Sequence, residues 1–365
     1  MRIVLVVILL LVLVAAGATA WMWHGFTSPY QEFPSEGVFV TVPHGSSRRT
    51  VARLLEQNGV VRSAIAFEIY ARRHPKRTMQ AGEYFFDRAL SGTDVFWKIA
   101  KGEIYERPFT VREGQTIFDI ARDLETGKFL LADDFLKAAH DPAPIRDLSP
   151  QAETLEGFLF PATYHLPRHP VAQELALEMV KKFKSEWGRI RAGDPAGNSS
   201  GDPRPNLASI VTLASLVERE TPKPEERPQV AGVFTNRLRK GMRLQCDPTV
   251  IYGLERLGQY NGSLTIRDLT FDTPYNTYVH AGLPPGPIGN PGEASLKAAM
   301  EPAQTKNLYF VANTQGGHFF SATLAEHNRN VVKYRRLLAG LPADPPAVAP
   351  AHPKKHGKGR KGAAR

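Results

Sequence analysis

The N-terminal segment is the most apolar part of the chain. From Ile3 to Trp23 it holds 21 residues that carry no charge, and Thr19 is the one hydroxyl side chain among them. At a helical rise of about 1.5 Å per residue, this run reaches about 30 Å, which is the thickness of the hydrocarbon core of a bilayer. The pattern therefore predicts a transmembrane helix over residues 1–23.

Charged residues on either side of this segment predict its orientation. Arg2 precedes it, whereas the residues that follow include Glu32 and Glu36 and no Lys or Arg before Arg48. By the positive-inside rule, the bulk of the chain lies outside the cytoplasm, on the periplasmic face of the inner membrane. A cleaved signal peptide remains the alternative, because small residues at 16–20 offer cleavage sites. The length of the run favours an uncleaved, single-pass anchor.

A strand pattern followed by a helix pattern occurs twice. VTVPHGSSRRTVARLLE at 40–56 aligns without gaps on FTVREGQTIFDIARDLE at 109–125, with a constant offset of 69 residues. Each copy predicts a strand, a Gly-containing turn and an amphipathic helix. The second copy resembles a LysM-type glycan-binding module. The alternative is that both copies only brace the rest of the chain or hold it away from the membrane.

Residues 207–221, LASIVTLASLVERET, predict an apolar helix with two carboxylates near its end. On a helical wheel Glu218 falls with Leu207 and Val211, and Ser and Thr residues form the opposite side. Glu220 lies about 160° from Glu218 and is expected to be wetter. An apolar setting raises the pKa of a carboxyl group, so that Glu218 can hold a proton near neutral pH and donate it.

An ordinary ion pair is the simpler interpretation of the same pattern. Arg219, Arg227 and Arg237 are each candidates for a partner of Glu218. The wheel therefore selects a carboxylate without establishing that it is catalytic.

The rest of the chain mixes helix and strand patterns. Residues 225–240 predict a helix, LYFVAN at 308–313 and HFFSA at 318–322 predict short strands, and the Gly-, Pro- and Asn-rich region 185–206 predicts a loop. We expect an α+β fold, in which an N-terminal transmembrane helix precedes LysM-like N-terminal modules and a mixed α+β domain. The expected anchor, first α+β module, LysM-like module, main domain and basic tail span 1–23, 24–105, 106–150, 151–340 and 341–365.

The net charge of +10 does not indicate a nucleic-acid partner. Residues 341–365 contribute half of it, through six Lys and Arg residues against Asp344. This tail has no apolar period and is expected to be disordered, with weak contact to anionic lipid or wall polymers as the functional alternative. The single cysteine, Cys246, excludes an intrachain disulfide, and the scattered histidines lack metal-binding spacing, so we expect no metal and no cofactor.

Several motifs in the second half of the chain resemble one family. Beside ASLVERET they are LEGFLFPATYHL at 155–166, AGVFTNRLRKGMRLQCDPTVIYG at 231–253, DTPYNTYVHAGLPPGPIGNPG at 272–292 and SLKAAMEPAQTKNLYFVAN at 295–313. In this order they are similar to the YceG-like (MltG-type) endolytic murein transglycosylases over most of residues 150–335. The resemblance implies a YceG-like catalytic domain at 151–340 whose catalytic residue is Glu218, the first glutamate of the ASLVERET stretch.

The resemblance also implies an activity. Members of this family are lytic transglycosylases that cleave the β-1,4 bond between N-acetylmuramic acid and N-acetylglucosamine within glycan strands and leave 1,6-anhydro ends. One carboxylate suffices for this chemistry, because the C6 hydroxyl of the sugar replaces water as the nucleophile. The expected partners are peptidoglycan strands, the cell membrane and peptidoglycan synthases of the elongation or division machinery.

Two other functions remain open at this stage. One is a membrane-anchored peptidoglycan-binding scaffold without catalysis. The other is a hydrolytic muramidase, which would need a partner carboxylate such as Glu156 or Asp247.

Candidate substrate-binding side chains come from the family motifs. Amides and phenols bond sugar hydroxyls and N-acetyl groups, and aromatic faces pack on pyranose rings. The structural alternative is that DPT at 247–249 is a turn or a helix cap and that YNTY at 275–278 is a buried strand edge. The candidates are Gln245, Asp247, Tyr275, Asn276, Tyr278 and Glu156.

Overall fold

The computed structural model describes residues 2–193 and 206–343, where the predicted α+β fold with an N-terminal apolar helix is confirmed. Most of the predicted basic tail lies outside the described residues. The chain groups into two compact units, each assembled from three stretches of sequence. The first unit comprises Met1–Arg112, Asp119–Ala138 and Ala162–Glu178; the second comprises Glu113–Phe118, Ala139–Pro161 and the residues from Met179 onward.

The first unit begins with a long apolar helix, α1, which spans Arg2–Thr27. Among the described residues, its segment Ile3–Thr27 is the one helix that is long and apolar enough to cross a membrane. The helix continues past Trp23, where the apolar run ends in the sequence. This extension forms because Met22 and Phe26 pack against the core of the unit.

Short helices and two-stranded sheets follow α1. In chain order they are β1 Val38–Val42, α2 Arg48–Gln57, α3 Ala64–Arg73, β2 Gly82–Phe86, α4 Gly92–Lys101, β3 Arg107–Thr110, α5 Ile117–Thr126, α6 Ala132–Ala139 and β4 Thr163–Leu166.

The two sequence repeats fold as predicted, into β1 with α2 and β3 with α5. The turn glycines Gly45 and Gly114 have φ angles of +74° and +79°, a left-handed conformation that glycine adopts without steric cost. Each copy continues into a second helix and a returning strand, so that β1 pairs with β2 and β3 pairs with β4, both antiparallel. The repeat is therefore a strand–helix–helix–strand arrangement, longer than the sequence identity shows.

Alternating side chains of β1 build the core of the first unit. Val40 and Val42 point inward and are 2% and 1% exposed, as a strand with one buried face requires. Leu55 of α2, Phe67 of α3 and Phe96 of α4 complete the same cluster. These apolar contacts hold the first repeat together.

The second unit is mainly helical. Its elements are the later part of α7 Ala172–Ala192, then α8 Leu207–Glu220, α9 Arg227–Arg239, α10 Asp247–Arg256, α11 Glu293–Met300, β5 Tyr309–Ala312, β6 His318–Ser321 and α12 Leu324–Leu338. α8 packs against α9, α10 and α11, and the predicted β5–β6 strands form an antiparallel hairpin against α12. The unit is thus organised around the apolar helix that carries Glu218.

The prediction of a loop over 185–206 is wrong for residues 185–192, which are helical. α7 continues to Ala192, because Trp187 and Ile190 are buried at 8% and 4% exposure and keep the helix attached to the core. Residues 194–205 lie outside the described part of the chain.

Candidate active site

The helix α8 is buried on all of its faces. Asn206 caps its N-terminus, and every residue from Ile210 to Glu218 is buried. The expected polar side of the helix is buried too, because Thr212 and Ser215 donate their hydroxyls to backbone carbonyls of the same helix, both at 2.7 Å. Any carboxylate in this stretch is therefore removed from water.

Glu218 is held by two donors. Its side chain is 3% exposed, and Arg227 Nη2, on a side chain that is 5% exposed, donates to Glu218 Oε1 at 2.6 Å. The backbone N–H of Gly292 donates to Glu218 Oε2 at 2.9 Å. Arg219 instead donates to the carbonyl of Ile288. The ion-pair interpretation of the sequence is thus observed, with Arg227 as the partner.

Opposing influences act on the proton affinity of Glu218. Burial is the largest, and it raises the pKa of the carboxyl above its usual value. The hydrogen bond from Gly292 and the positive charge of Arg227 lower the pKa, whereas the negative charge of Glu113 raises it. Because the net direction is upward, Glu218 takes up a proton more readily than an exposed glutamate.

A second carboxylate shares the same arginine. Arg227 Nη2 also donates to Glu113 Oε2, at 3.2 Å, and the Glu113 side chain is 49% exposed. A Cβ at Gly292 would overlap the Glu113 carboxylate, so a larger residue here would displace Glu113 from Arg227. Arg227 therefore bridges one buried and one half-exposed carboxylate.

Backbone pairing holds Glu113 in this place. Gly114 N–H donates to the carbonyl of Asn290 at 2.8 Å, and Asn290 N–H donates to the carbonyl of Gln115 at 2.9 Å. The Asn290 side chain, which is fully buried, donates to the same Gln115 carbonyl and accepts from Leu159 N–H. The turn of the second repeat is thereby fixed to the loop that precedes α11.

Glu156, a candidate substrate ligand, is 2% exposed in the second unit. Its Oε1 accepts from Asn290 Nδ2 at 2.9 Å, and its Oε2 accepts from Ile117 N–H at 3.0 Å. These bonds tie three separate stretches of the chain together. They give Glu156 a structural role in addition to any contact with substrate.

Two further polar atoms are buried near Glu218. One is Arg227 Nε and the other is Ser295 Oγ. The Ser295 hydroxyl lies close enough to the Glu218 carboxyl to favour its ionised form. Ser295 therefore adds to the groups that favour the carboxylate form of Glu218.

Glu220 is less exposed than the helical wheel predicted. The residue is partly exposed, and its carboxylate accepts from Cys246 Sγ at 3.3 Å. Burial is the main reason that its pKa is raised, and the neighbouring Asp247 raises it further. The two glutamates of α8 therefore sit in separate environments.

Three candidate substrate residues lie together at the start of α10. Gln245 and Asp247 are exposed, and Tyr278 donates its hydroxyl to Asp247 Oδ1 at 2.5 Å. Gln245 has φ +52°, the left-handed region that a non-glycine residue rarely adopts. Asp247 is the first residue of α10, after Cys246 at the N-cap position, and its charge suits a helix N-terminus.

The other two candidates are held inside the protein. Asn276 is fully buried and donates its amide to the carbonyls of Leu269 and Phe271. Tyr275 is 8% exposed, and its hydroxyl accepts from Arg256 Nη1 at 2.9 Å. The 275–278 segment is a buried turn and not the strand edge considered from the sequence.

An open cavity of about 380 Å³ in the second unit brings two candidates to one surface. Tyr275 and Glu156 line it together with Thr212 of α8 and the Pro285–Pro287 loop. The same loop continues to Gly292, whose N–H contacts Glu218. One short segment of the chain, residues 285–292, therefore lines the cavity at one end and contacts the Glu218 carboxylate at the other.

The sequence did not single out Glu113, Asn290 or Ser295 as site residues. Glu113 lies in the turn of a repeat, where a charged residue is ordinarily solvated. The alignment of the two copies contained a signal for Glu113. The residue of the first copy that aligns with Glu113 is His44, so the fold of the repeat does not require a carboxylate at this position.

The site contains one buried glutamate, held by an arginine and a backbone N–H. A buried carboxyl group with a raised pKa is chemically suited to give and take up a proton, and this one lies in an α+β protein with an N-terminal apolar helix. The chain belongs to the YceG-like family, whose sequence pattern it matches over residues 40–333.

Individual relatives agree with this assignment. The endolytic murein transglycosylase of Bacillus subtilis is 32% identical over 84% of this chain and 87% of that protein. The protein of the same name from Streptococcus pneumoniae is 31% identical, and this chain covers 58% of its length. A crystal structure of a yceG-like protein from Listeria monocytogenes superposes with a TM-score of 0.53 at 33% identity, over 80% of this chain and 99% of that one.

Proposed function

We propose that this protein is an endolytic peptidoglycan lytic transglycosylase in which Glu218 carries the proton transfers. The observation that carries the proposal is the burial of Glu218 between Arg227 and the N–H of Gly292, in a chain that shares a family with murein transglycosylases. A buried carboxyl with a raised pKa is suited to act first as an acid and then as a base.

In the first half of the reaction, protonated Glu218 gives its proton to the glycosidic oxygen between N-acetylmuramic acid and N-acetylglucosamine. The bond from C1 to that oxygen breaks, and its electron pair goes to the departing oxygen. Positive charge develops at C1 of the muramic acid in an oxocarbenium-like state. Glu218 is left as a carboxylate, which is the form that Arg227 and Gly292 stabilise.

In the second half, the C6 hydroxyl of the same muramic acid attacks C1. The new bond joins O6 to C1, and the hydroxyl proton passes to Glu218, which returns to its starting form. No water is consumed and the product end is a 1,6-anhydro ring. One carboxylate serves both steps because the nucleophile belongs to the substrate.

Glu113 accounts for how Glu218 can hold a proton beside an arginine. A buried charge that loses its partner is strongly destabilising, so protonation of Glu218 would leave Arg227 uncompensated. Glu113 already accepts from the same nitrogen of Arg227, at 3.2 Å. We assign Glu113 the role of second counterion, which keeps Arg227 paired while Glu218 is neutral.

The Glu113→Gln variant is expected to lose activity at a lower pH than the unmodified protein. Catalysis begins with protonated Glu218, so the rate falls as the pH rises through the pKa of Glu218. Glu113 raises that pKa, and its removal moves the fall to lower pH. Above neutral pH we expect activity about threefold to tenfold lower, the effect of one partly screened charge. A pH profile of fragment release measures this.

The matched controls for this variant are Glu113→Asp and Glu301→Gln. The first keeps the charge and is expected to restore most of the profile, and the second removes a carboxylate from an exposed position. If the pH profile of fragment release did not shift in Glu113→Gln, Glu113 would have no role in the proposed mechanism.

Mass spectrometry of the released fragments tests the proposed reaction. The full-length chain in detergent is the suitable sample, because Met22 and Phe26 of the apolar helix belong to the packed core. Incubation with purified peptidoglycan is expected to give internal fragments that end in 1,6-anhydromuramic acid. Fragments with reducing ends would identify a hydrolase instead, and an absence of fragments from folded protein would favour a scaffold.

Hydrolysis is the second candidate, and the position of Glu113 is the observation that favours it. A muramidase uses two carboxylates, and Glu113 is the half-exposed carboxylate next to Glu218 through their shared arginine. Of the carboxylates considered from the sequence, Glu156 is engaged with Asn290 and Asp247 with Tyr278. The chemistry of the product ends separates the two reactions.

We further propose where the protein works and what it contacts. The apolar helix Ile3–Thr27 would be a single-pass anchor in the inner membrane, with the remaining chain on the periplasmic side. Gln245, Asp247 and Tyr278 would contact the glycan near its cleavage site, and Tyr275 would line an adjoining subsite. The second repeat would bind glycan as a LysM-like module. Peptidoglycan synthases are the expected partners, since the proposed substrate is the strand that they produce.

A further inference from the structure

The apolar helix and the first repeat form one packed body at the level where the helix would leave the membrane. Phe26 is 5% exposed, and its ring lies 5.3 Å from that of Tyr70 and 6.5 Å from that of Phe67. The Trp23 ring lies 6.1 Å from Tyr70, and Arg73 lies over Trp23 at 6.0 Å. α1 is therefore attached to the folded unit through packed side chains and not through a flexible linker.

A cavity of about 550 Å³ opens beside this junction. Its lining begins at the apolar residue Ala18 and reaches the polar side chains of His24 and Ser28 farther along, roughly 15 Å away at a helical rise of about 1.5 Å per residue. Trp21 lines it and is 74% exposed, which is typical of an aromatic residue at the depth of lipid headgroups. The lining residues are Ala18, Trp21, Met22, His24, Gly25, Phe26, Ser28, Arg62, Ser63 and Ala66.

The polar end of the cavity carries an arginine suited to an anion. Arg62 lies over the Tyr30 ring at 5.0 Å, and within the described residues no carboxylate forms a salt bridge with it. The stretch 48–77, which contains Arg62, holds eight Lys and Arg residues against Glu56 and Glu68, and Glu32 accepts from the Tyr30 hydroxyl beside Arg62. A surface with this excess of positive charge attracts the anionic lipids of a membrane.

We propose that this cavity binds one anionic phospholipid, whose headgroup phosphate bonds to Arg62 and whose acyl chain lies along Ala18 and Met22. The amphipathic wall matches a lipid molecule, which is apolar at one end and charged at the other. The proposal rests on the proposed membrane anchor and is independent of the reaction at Glu218. The bound lipid would hold the first repeat against the membrane surface.

Native mass spectrometry of the full-length protein, released from detergent with phosphatidylglycerol or phosphatidylcholine, tests this site. We expect one phosphatidylglycerol adduct at lipid concentrations where phosphatidylcholine gives none. Arg62→Gln is expected to weaken this adduct about tenfold or more, because it removes a charge-assisted hydrogen bond to phosphate. Ala18→Trp, which fills the apolar end from an exposed position, is expected to weaken it as well.

Arg49→Gln is the matched control, since Arg49 is an exposed arginine of the same basic stretch that does not line the cavity. It is expected to leave the adduct unchanged. Equal binding of the two lipids, or equal losses in the Arg62 and Arg49 variants, would reduce the effect to general charge attraction and overturn the proposal. Displacement of the lipid by inorganic phosphate at an equal concentration would likewise overturn it, because the acyl chain would then contribute no affinity. Unchanged near-ultraviolet circular dichroism verifies the fold of each variant.

Discussion

The Glu218→Gln variant is expected to release peptidoglycan fragments about 100- to 10,000-fold more slowly than the unmodified protein, the range for loss of a general acid. Gln keeps the size of the side chain and can still accept from Gly292 N–H, but it cannot donate a proton to the glycosidic oxygen or take one from O6. Arg227 retains Glu113 as a counterion, so the fold is expected to survive. Quantitative chromatography of muropeptides measures the rate, and thermal unfolding verifies the fold.

Glu220→Gln is the matched comparison for this result. Glu220 lies in the same helix, is half-buried and also has a pKa that burial raises, yet it bonds to Cys246 and not to Arg227. We expect its rate to stay within about threefold of that of the unmodified protein, because Glu220 takes no part in the proposed proton transfers. If Glu220→Gln abolished cleavage while Glu218→Gln retained it, the two glutamates would have to exchange roles.

The Arg227→Met variant is expected to lower the free energy of unfolding by about 3 to 5 kcal/mol, the typical cost of breaking a buried ion pair from one side. Glu218 would remain buried without its charged donor, although it would keep the hydrogen bond from the N–H of Gly292. Met has a similar length to the aliphatic part of Arg, so the loss of packing is small. Urea unfolding followed by circular dichroism measures the change.

The pH dependence and a double variant identify the cause of this loss. In Arg227→Met the pKa of Glu218 is expected to rise further, because the charge that lowers it is gone. A carboxyl group whose pKa is raised in the folded state contributes stability below its unfolded pKa and loses it as the pH rises through the folded pKa. The deficit of the variant should therefore be largest above neutral pH and smaller in acid. Arg227→Met combined with Glu218→Gln should recover most of the stability, whereas a deficit that is independent of pH and of Glu218 would point to packing alone.

The sequence predicted the elements that depend on local periodicity. The gapless offset between the two repeats located β3 and α5 from β1 and α2, and the helical wheel placed Glu218 among apolar neighbours. Both are properties of residues that are close together in the chain, where strand and helix periods repeat in a fixed way. The family motifs selected the same glutamate by an independent route.

The environment of Glu218 depends on contacts that no local pattern contains. Three arginines were candidate partners, and the choice of Arg227 follows from how α9 packs against α8. Asn290 pairs with Gln115 across 175 positions of sequence. Such contacts form only when the whole unit folds, and the same packing also buried the Ser and Thr residues that the wheel assigned to a wet side.

The turn between β3 and α5 limits how this chain can be recombined. The two repeats share a backbone pattern, down to the left-handed Gly45 and Gly114, but only the second places a carboxylate, Glu113, beside Arg227. The copies have diverged and are no longer exchangeable parts. A chimera that carried the first copy in both places would preserve the strand, turn and helix, yet it would put His44 where the arginine needs an anion. Domain grafting with this chain should therefore keep the 113–118 segment together with the second unit, to which it belongs.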